Sequence, residues 1–457
     1  MCIRDRRSGV PQPSPKRQVA DARESDIRSM RSLLLPLGLA CALDPSAVRA
    51  QQHDLIGYWH NWNDGSAPYM ALSQIDDRYT VIDIAFAEPL TGTSHLMTFS
   101  PSGTPQSTFI AEVAALRAQG KKVLISIGGA NAPLHLDSDQ ERDEFVSSML
   151  AILDSYGFQG IDIDLEGSSV AITGGTIGTP TDATILRLID AINSIAEAYE
   201  ASTGTPMMLT MAPETAYVQG GQSAFGGIWG AYLPVIEALR DRIDILHVQL
   251  YNSGSMYGID GGIYTQGSAD FIVSQTEALL QGFGTVGGFF APLPPEKVAI
   301  GLPACPSAAG GGYVSPGLLT AAVAYLRGAG PQPGQYQLIS TYTGLRGLMT
   351  WSINWDAAPG CAAAYEFADS YEEIFNLSTT LTDVVAPTRA ACIQDGELII
   401  PELTGQSTIS FFDSMGRLCA HAVLQNGKSK LPSNLLRGMY SITLTDYRVA
   451  PMRVLVP

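Results

Sequence analysis

The chain reads as an α/β protein, a (β/α)8 TIM barrel followed by a small all-β C-terminal domain. Three observations predict this. Short apolar runs recur with helix-patterned segments between them, as in a parallel sheet wrapped by helices. One run, Gly160-Ile161-Asp162-Ile163-Asp164-Leu165-Glu166, carries an acid at every second position. Side chains alternate across a strand, so Asp162, Asp164 and Glu166 share one face and the apolar residues the other. A wholly apolar reverse face is what a strand buried on both sides requires. Finally, residues 377–390 are Thr- and Val-rich around Pro387, and beyond them come short alternating runs with turn signals.

The chain has 457 residues and a formal net charge of -17, enough length for a large core and a charge that argues against nucleic acid as a partner. Residues 1–29 are basic, polar and patternless and read as a non-native leader. Residues 30–50 resemble a secretory signal peptide: Arg31, an apolar run from Leu33 to Leu43, then Ala47-Val48-Arg49-Ala50. Pro36, Gly38 and Asp44-Pro45 oppose a core helix there, and Gly38 opposes a lipid anchor at Cys41. Cleavage would leave Gln51 first in a secreted protein. No later run is suited to spanning a bilayer, so the mature form is expected to have no membrane contact. Cys305, Cys361, Cys392 and Cys419 would remain, and an oxidising exterior permits a bridge whose pairing their spacing does not choose.

Eight strands are predicted at Leu55–Trp59, Val81–Ala87, Lys122–Ile127, Gly160–Leu165, Met207–Ala212, Ile245–Tyr251, Lys297–Leu302 and Gly347–Ile353. Helices are predicted at Phe109–Ala118, Ser138–Tyr156, Ala183–Glu200, Leu233–Arg240, Ala269–Gln281, Leu318–Arg327 and Tyr371–Phe375. The second opens with a capping box, Ser138 and Glu141. The third has Ile185, Leu188, Ile189, Ile192, Ile195 and Ala196 along one stripe.

Barrels of this kind carry their sites at the carboxyl ends of the strands. Those ends are Tyr58-Trp59-His60-Asn61-Trp62, Phe86-Ala87-Glu88, Ser126-Ile127-Gly128-Gly129, Met211-Ala212-Pro213-Glu214, Gln249-Leu250-Tyr251-Asn252 and Trp351-Ser352-Ile353-Asn354-Trp355. Four of the five tryptophans sit on strands one and eight, which are neighbours in a closed barrel. Three acids facing a closed interior repel one another, so at least one should hold its proton near neutral pH, as a general acid must. Clustered carboxylates also suit Mg2+ or Ca2+, but aromatic rings at the mouth favour stacking on the C–H faces of sugars. No metal and no cofactor are expected. His60 and His247 read as packing or surface residues, and Trp229 has no assigned role.

At these residues the chain resembles glycoside hydrolase family 18, the chitinases and their relatives. The fourth-strand signature D-G-x-D-x-D-x-E is matched by Gly160, Asp162, Asp164 and Glu166, and the third-strand S-x-G-G by Ser126, Gly128 and Gly129. Met211-Ala212-Pro213, the Gln249 to Asn252 run and Trp351 are similar to the family's fifth, sixth and eighth strand ends. The likeness spans about Asp54 to Phe375. It implies a catalytic barrel over residues 51–376 that cleaves chitin or chito-oligosaccharides. Glu166 would be the acid, Asp164 the stabiliser of an oxazolinium, Asp162 the support behind them and Tyr251 a donor to the acetamido oxygen. Trp351, Gln249, Asn252, Trp59, Met211, Ser126, Gly128 and Gly129 would bind substrate or line the site. Related readings are an endo-β-N-acetylglucosaminidase of N-glycans and a non-catalytic lectin. The signature's first aspartate is replaced by Gln159, expected to hydrogen-bond Asp162 through its amide.

Between Leu302 and Gly347 there is no room for an independent domain, so the groove should be open and cleavage internal. After a linker at 377–390, residues 391–457 are predicted to form strands at Ser407–Phe412, Leu418–Val423, Met439–Thr445 and Met452–Val456. The stretch Ser410 to Leu418 and Gly438-Met439-Tyr440 resemble the C-terminal sorting domain of type IX secretion, implying the secretion machinery as a partner. The mature protein is expected to be a monomer.

Overall fold

The computed structural model describes residues 53–376 except 64 and 360 and, in the tail, 392–394, 397–400, 406–412, 418–433, 435, 437–444 and 452–456. The expected leader, signal peptide and linker lie outside the described residues.

Eight parallel strands form the barrel: β1 (Asp54–His60), β2 (Val81–Pro89), β3 (Lys122–Gly128), β4 (Gly160–Asp164), β5 (Met208–Met211), β6 (Ile245–Leu246), β7 (Ala299–Pro303) and β8 (Gly347–Trp351). They run in the order β7-β8-β1-β2-β3-β4-β5-β6. Parallel bridges Leu246 to Val298 and Gln249 to Gly301 close the ring. Helices α1 (Gln106–Ala118), α2 (Asp139–Tyr156), α3 (Ala183–Thr203), α4 (Leu233–Ala238), α5 (Ala269–Gln281), α6 (Pro316–Leu326) and α7 (Glu366–Asn376) occupy the crossovers. The capping box forms as expected: Ser138 Oγ accepts from Glu141 N, Glu141 Oε2 accepts from Ser138 N, and Gly157 ends the helix at φ 69°.

The sixth strand is shorter than predicted. Its ladder covers only Ile245–Leu246, although His247 N still donates to Met211 O and Gln249 N to Pro213 O. Pro213 is the reason, since it has no N–H with which to return a bond to this strand. The eighth strand stops at Trp351, where Ser352 caps one helical turn at Ile353–Asp356. Three unpredicted hairpin pieces, Met97–Thr98 on β2, Ser255–Tyr257 with Ile263–Thr265, and Phe283–Thr285 with Gly288–Phe290, decorate the loops.

Alternation sorts the strand residues into two cores. Leu55, Trp59, Ile82, Ile84, Ile125, Ile161, Ile163, Leu209 and Met211 face outward into the layer beneath the helices. Ile56, Val81, Leu124, Ile245, Ala299 and Met349 fill the barrel interior. One step further along the strands the interior turns polar: Tyr58 pairs in register with Asp83, and Ser126 and Thr210 both with Asp162. This is one layer of inward side chains drawn from neighbouring strands.

Cys305 and Cys361 form a disulfide, resolving the pairing that spacing left open. It joins the ends of the β7 and β8 units across 56 residues, a loop for which chain entropy predicts about 4 kcal/mol of stabilisation. The tail forms a separate seven-stranded antiparallel sheet of β9 (Cys392–Gln394), β10 (Glu397–Ile399), β11 (Gln406–Phe412), β12 (Leu418–Gln425), β13 (Lys428–Lys430), β14 (Gly438–Leu444) and β15 (Met452–Val456). Its order is β9-β10-β13-β12-β11-β14-β15. Its core is Leu398, Ile400, Ile409, Phe411, Leu424, Tyr440 and Ile442.

Candidate active site

Asp162 anchors the site from below. It is fully buried. Tyr58 OH and Ser126 Oγ each donate to its Oδ2 at 2.6 Å, and Thr210 Oγ1 donates to Oδ1 at 2.7 Å. Burial opposes its charge, but the nearby His247 ring and the Ser126 and Tyr58 bonds outweigh it and hold the carboxyl below its ordinary range.

Asp164 and Glu166 rise from that base toward the mouth. Gln249 Nε2 lies 2.7 Å from Asp164 Oδ1 and 3.0 Å from Glu166 Oε1, donating to both and to the Ala212 carbonyl. Burial, then the charges of Glu166 and Asp162, push Asp164 well above its ordinary range. Burial also raises Glu166, and burial together with the Glu166 charge pushes Glu214 up to about 6. The carboxyls at the mouth are thus pushed toward the protonated form and the one beneath toward the ionised form.

The backbone carrying the acids is clamped on both sides. Leu165 N donates to Tyr232 OH at 2.6 Å, and that hydroxyl donates to Leu165 O at 3.1 Å. On the other flank Gly129 N donates to Asp164 O at 2.7 Å. Gly128 sits at φ 104°, and a Cβ there would fall 2.3 Å from the Asp164 carbonyl oxygen, so only glycine fits.

Above the acids lies a cavity of ≈ 190 Å³ lined by Trp62, Phe86, Gly129, Asn131, Tyr251, Asn252 and Trp351 with Asp164, Glu166 and Gln249. Phe86 and Trp351 stack at 6.0 Å and 15°, with Trp62 6.2 Å from Phe86. Trp62 and Phe86 also line a second groove of ≈ 340 Å³ that continues past Asn61, Glu88 and Ser100.

Of the expected site residues, Glu166, Asp164, Gln249, Tyr251, Asn252, Trp351 and Gly129 meet at this cavity, while Asp162, Ser126 and Gly128 support it from behind. Three expectations are corrected. Trp59 is fully buried, donates to Met70 O and packs on Tyr69 and Phe109, away from the cavity. Met211 is fully buried in the outer core. Both occupy outward positions of strands whose inward residues are Tyr58 and Thr210, so alternation itself excluded them. Gln159 does not reach Asp162; its Oε1 accepts from Val123 N at the start of the strand.

Trp62, Phe86, Tyr58, Thr210, Asp83, Glu214 and Tyr232 were missed as participants. A polar residue at an inward position of an apolar strand was the available signal for Asp83. His60 does pack, its ring stacked 4.4 Å from Trp62. His247 is a different matter: it is sealed in the barrel, Nε2 3.4 Å from Asp162 Oδ1 and 3.9 Å from Asp83 Oδ2. The donor atoms of Asp83, Asp162 and His247 lie within 4.8 Å of one another. A cation would have to compete with the three hydroxyls already on Asp162, and this sealed layer offers few of the further oxygens that Mg2+ or Ca2+ requires. The cluster is thus a close approach of one imidazole to two carboxyls, with hydrogen bonds on Asp162 alone.

Residues 54–313 match the model of Glycosyl hydrolases family 18. Over 339 residues the chain is 45% identical to Chitinase Chi52 of Paenibacillus xylanexedens, covering 72% of this chain and 63% of that protein. It is 33% identical over 425 residues to Chitinase ChiA of Flavobacterium johnsoniae, covering 86% of this chain and 27% of that one. The chain therefore spans less than two thirds of the length of these curated relatives. A solved family GH18 chitinase from Chromobacterium violaceum superposes with a TM-score of 0.62 at 36% identity, over 71% of this chain and 83% of that one. With the family model matched over residues 54–313 and Asp164 and Glu166 standing at the cleft above Asp162, the chain belongs to glycosyl hydrolases family 18.

Proposed function

We propose that this chain is a chitinase that cleaves β-1,4-linked N-acetylglucosamine polymers internally, with retention of configuration and with the substrate supplying its own nucleophile. The observation that carries the reading is the pair Asp164 and Glu166, bridged by one Gln249 amide at the floor of an aromatic cleft. The names of the relatives above support the same substrate class.

In this mechanism Glu166 donates its proton to the leaving glycosidic oxygen. The acetamido carbonyl oxygen of the same sugar attacks the anomeric carbon as the C–O bond breaks, giving an oxazolinium ion. Asp164, in the cavity wall beside Glu166, accepts the acetamido N–H and stabilises the positive ring. Tyr251 hydrogen-bonds the acetamido oxygen and Trp351 forms the floor under the sugar. Glu166, now a carboxylate, takes a proton from water, whose oxygen opens the oxazolinium from the face the leaving group occupied. The second groove beyond Trp62 and Phe86 supports an extended polymer and internal cleavage.

The tail is proposed to be a sorting domain for export, with the mature protein secreted and monomeric. The match to the Flavobacterium chitinase covers 86% of the chain, more than the barrel alone accounts for. Deleting residues 391–457 should abolish release to the medium; unchanged export would sink the sorting role.

The deciding experiment is time-resolved product analysis on colloidal chitin, chito-oligosaccharides and an N-glycosylated protein. A series of soluble oligomers from chitin is expected. Disaccharide alone from the first time point would reject internal cleavage, release of N-glycans alone would move the substrate, and binding without product would reject the enzyme.

A further inference from the structure

We propose that His247 is a positioning residue of the hydrolytic reaction: its imidazolium, sealed in the barrel beneath the cleft, is the counter-charge that keeps Asp162 ionised. The acid row then keeps its retained proton at the outer end, shared between Asp164 and Glu166. The inference rests on the reading of the site as a glycoside hydrolase.

The geometry begins with what surrounds the ring. His247 faces inward from β6, fully buried, between Asp162 of β4 and Asp83 of β2. Among the described residues it is the one basic side chain within 4 Å of either carboxylate. An ionised carboxylate without a counter-charge in such an interior carries a penalty of several kcal/mol. Nor does the ring have another task, since neither nitrogen has an aligned hydrogen-bond partner. Both oxygens of Asp83 are likewise without one.

The other groups facing this centre are few. Tyr58 comes from β1, Ser126 from β3 and Thr210 from β5, all donating to Asp162. Asp164 and Glu166 lie above on their own strand segment, with Tyr251 further along the His247 segment and Glu214 past β5. From β7 and β8 come Gly301 and Met349, which carry no charge. Burial and the Asp162 charge push the Asp83 carboxyl well above its ordinary range. Both favour a proton on Asp83, which leaves Asp162 as the carboxylate for the ring to balance.

The consequence lies one step up the row. The Asp162 charge is among the causes that raise Asp164. Remove the imidazolium and Asp162 gains from taking up a proton itself. Its charge then no longer favours a proton on Asp164, the group beside Glu166, and the acid form at the mouth is lost at lower pH.

The test is the pH profile of kcat/KM on a soluble chito-oligosaccharide for His247→Gln, alone and in an Asp162→Asn background. The alkaline limb should move down by about one pH unit with KM changed less than about twofold, and the shift should vanish when Asp162 is already neutral. A fall in kcat with the limb unmoved, or the same shift in both backgrounds, would overturn the proposal. Should His247→Gln fail to fold, the otherwise intact chain carrying His95→Gln and 15N-labelled histidine decides the charge. At pH 7.5, where exposed rings are mostly neutral, one slowly exchanging ring must be an imidazolium; five neutral rings overturn the proposal. A chain that releases no product from the oligosaccharide would reject the hydrolase reading, while the ring spectrum would still report whether His247 is the counter-charge.

Discussion

The Tyr232 hydroxyl holds both backbone groups of Leu165, accepting from its N–H at 2.6 Å and donating to its carbonyl at 3.1 Å. Leu165 is the residue between the two acids of the cleft, so the direction in which Asp164 and Glu166 project depends on a side chain from the turn before α4. Tyr232→Phe leaves a buried N–H unpaired. The expected cost is about 1–3 kcal/mol of stability, and kcat should fall more than tenfold while KM changes little, because the acids and not the binding rings move. Denaturant unfolding and steady-state kinetics check both halves.

Glu166→Gln keeps the shape of the mouth and removes its acid. Activity on chito-oligosaccharides should drop by about 10²- to 10⁴-fold or more, with the thermal transition shifted by no more than a few degrees. Near-full activity would remove Glu166 from the mechanism.

Glu214 carries the pH test at the rim of the site. Its carboxyl is pushed up to about 6, so above that pH its charge stands beside the acid row and helps hold a proton on Asp164. Glu214→Gln removes that charge. The alkaline limb of kcat/KM should therefore move to lower pH by a few tenths of a unit; a limb moving upward would contradict the assignment.

The two tryptophans of the first strand end should separate cleanly. Trp59→Ala empties a core position and should destabilise the fold by about 3–5 kcal/mol. Trp62→Ala removes an aromatic surface of the cleft, and KM for longer oligosaccharides should rise about two- to tenfold, as the loss of roughly 0.5–1.5 kcal/mol of ring contact implies. Unfolding midpoints and KM values measured on both variants distinguish the roles.

Much of the fold was legible because a strand's two faces carry different demands. Eight apolar runs, and an acid at every second position of one of them, require no more than local periodicity to read, and that suffices for the barrel and for the shared face of Asp162, Asp164 and Glu166. The same rule applied to strand one would have put Trp59 outward with Leu55, so that error lay in using the rule and not in missing information. The shortening of the sixth strand was also local in origin, in Pro213 on its neighbour.

Relations between strands far apart in sequence are set by folding alone. Asp83, Asp162 and His247 stand 79 and 85 residues apart along the chain, and no pattern within any one strand says that their side chains meet. The same holds for Gln249 joining Asp164 to Glu166, for Phe86 and Trp62 packing against Trp351, and for Cys305 choosing Cys361. Which faces are apolar and which carry chemistry is settled within a few residues, and is therefore legible along the chain. Which of those groups share a proton, a charge or a ring contact is settled by barrel closure, through the register that brings distant strands to one level.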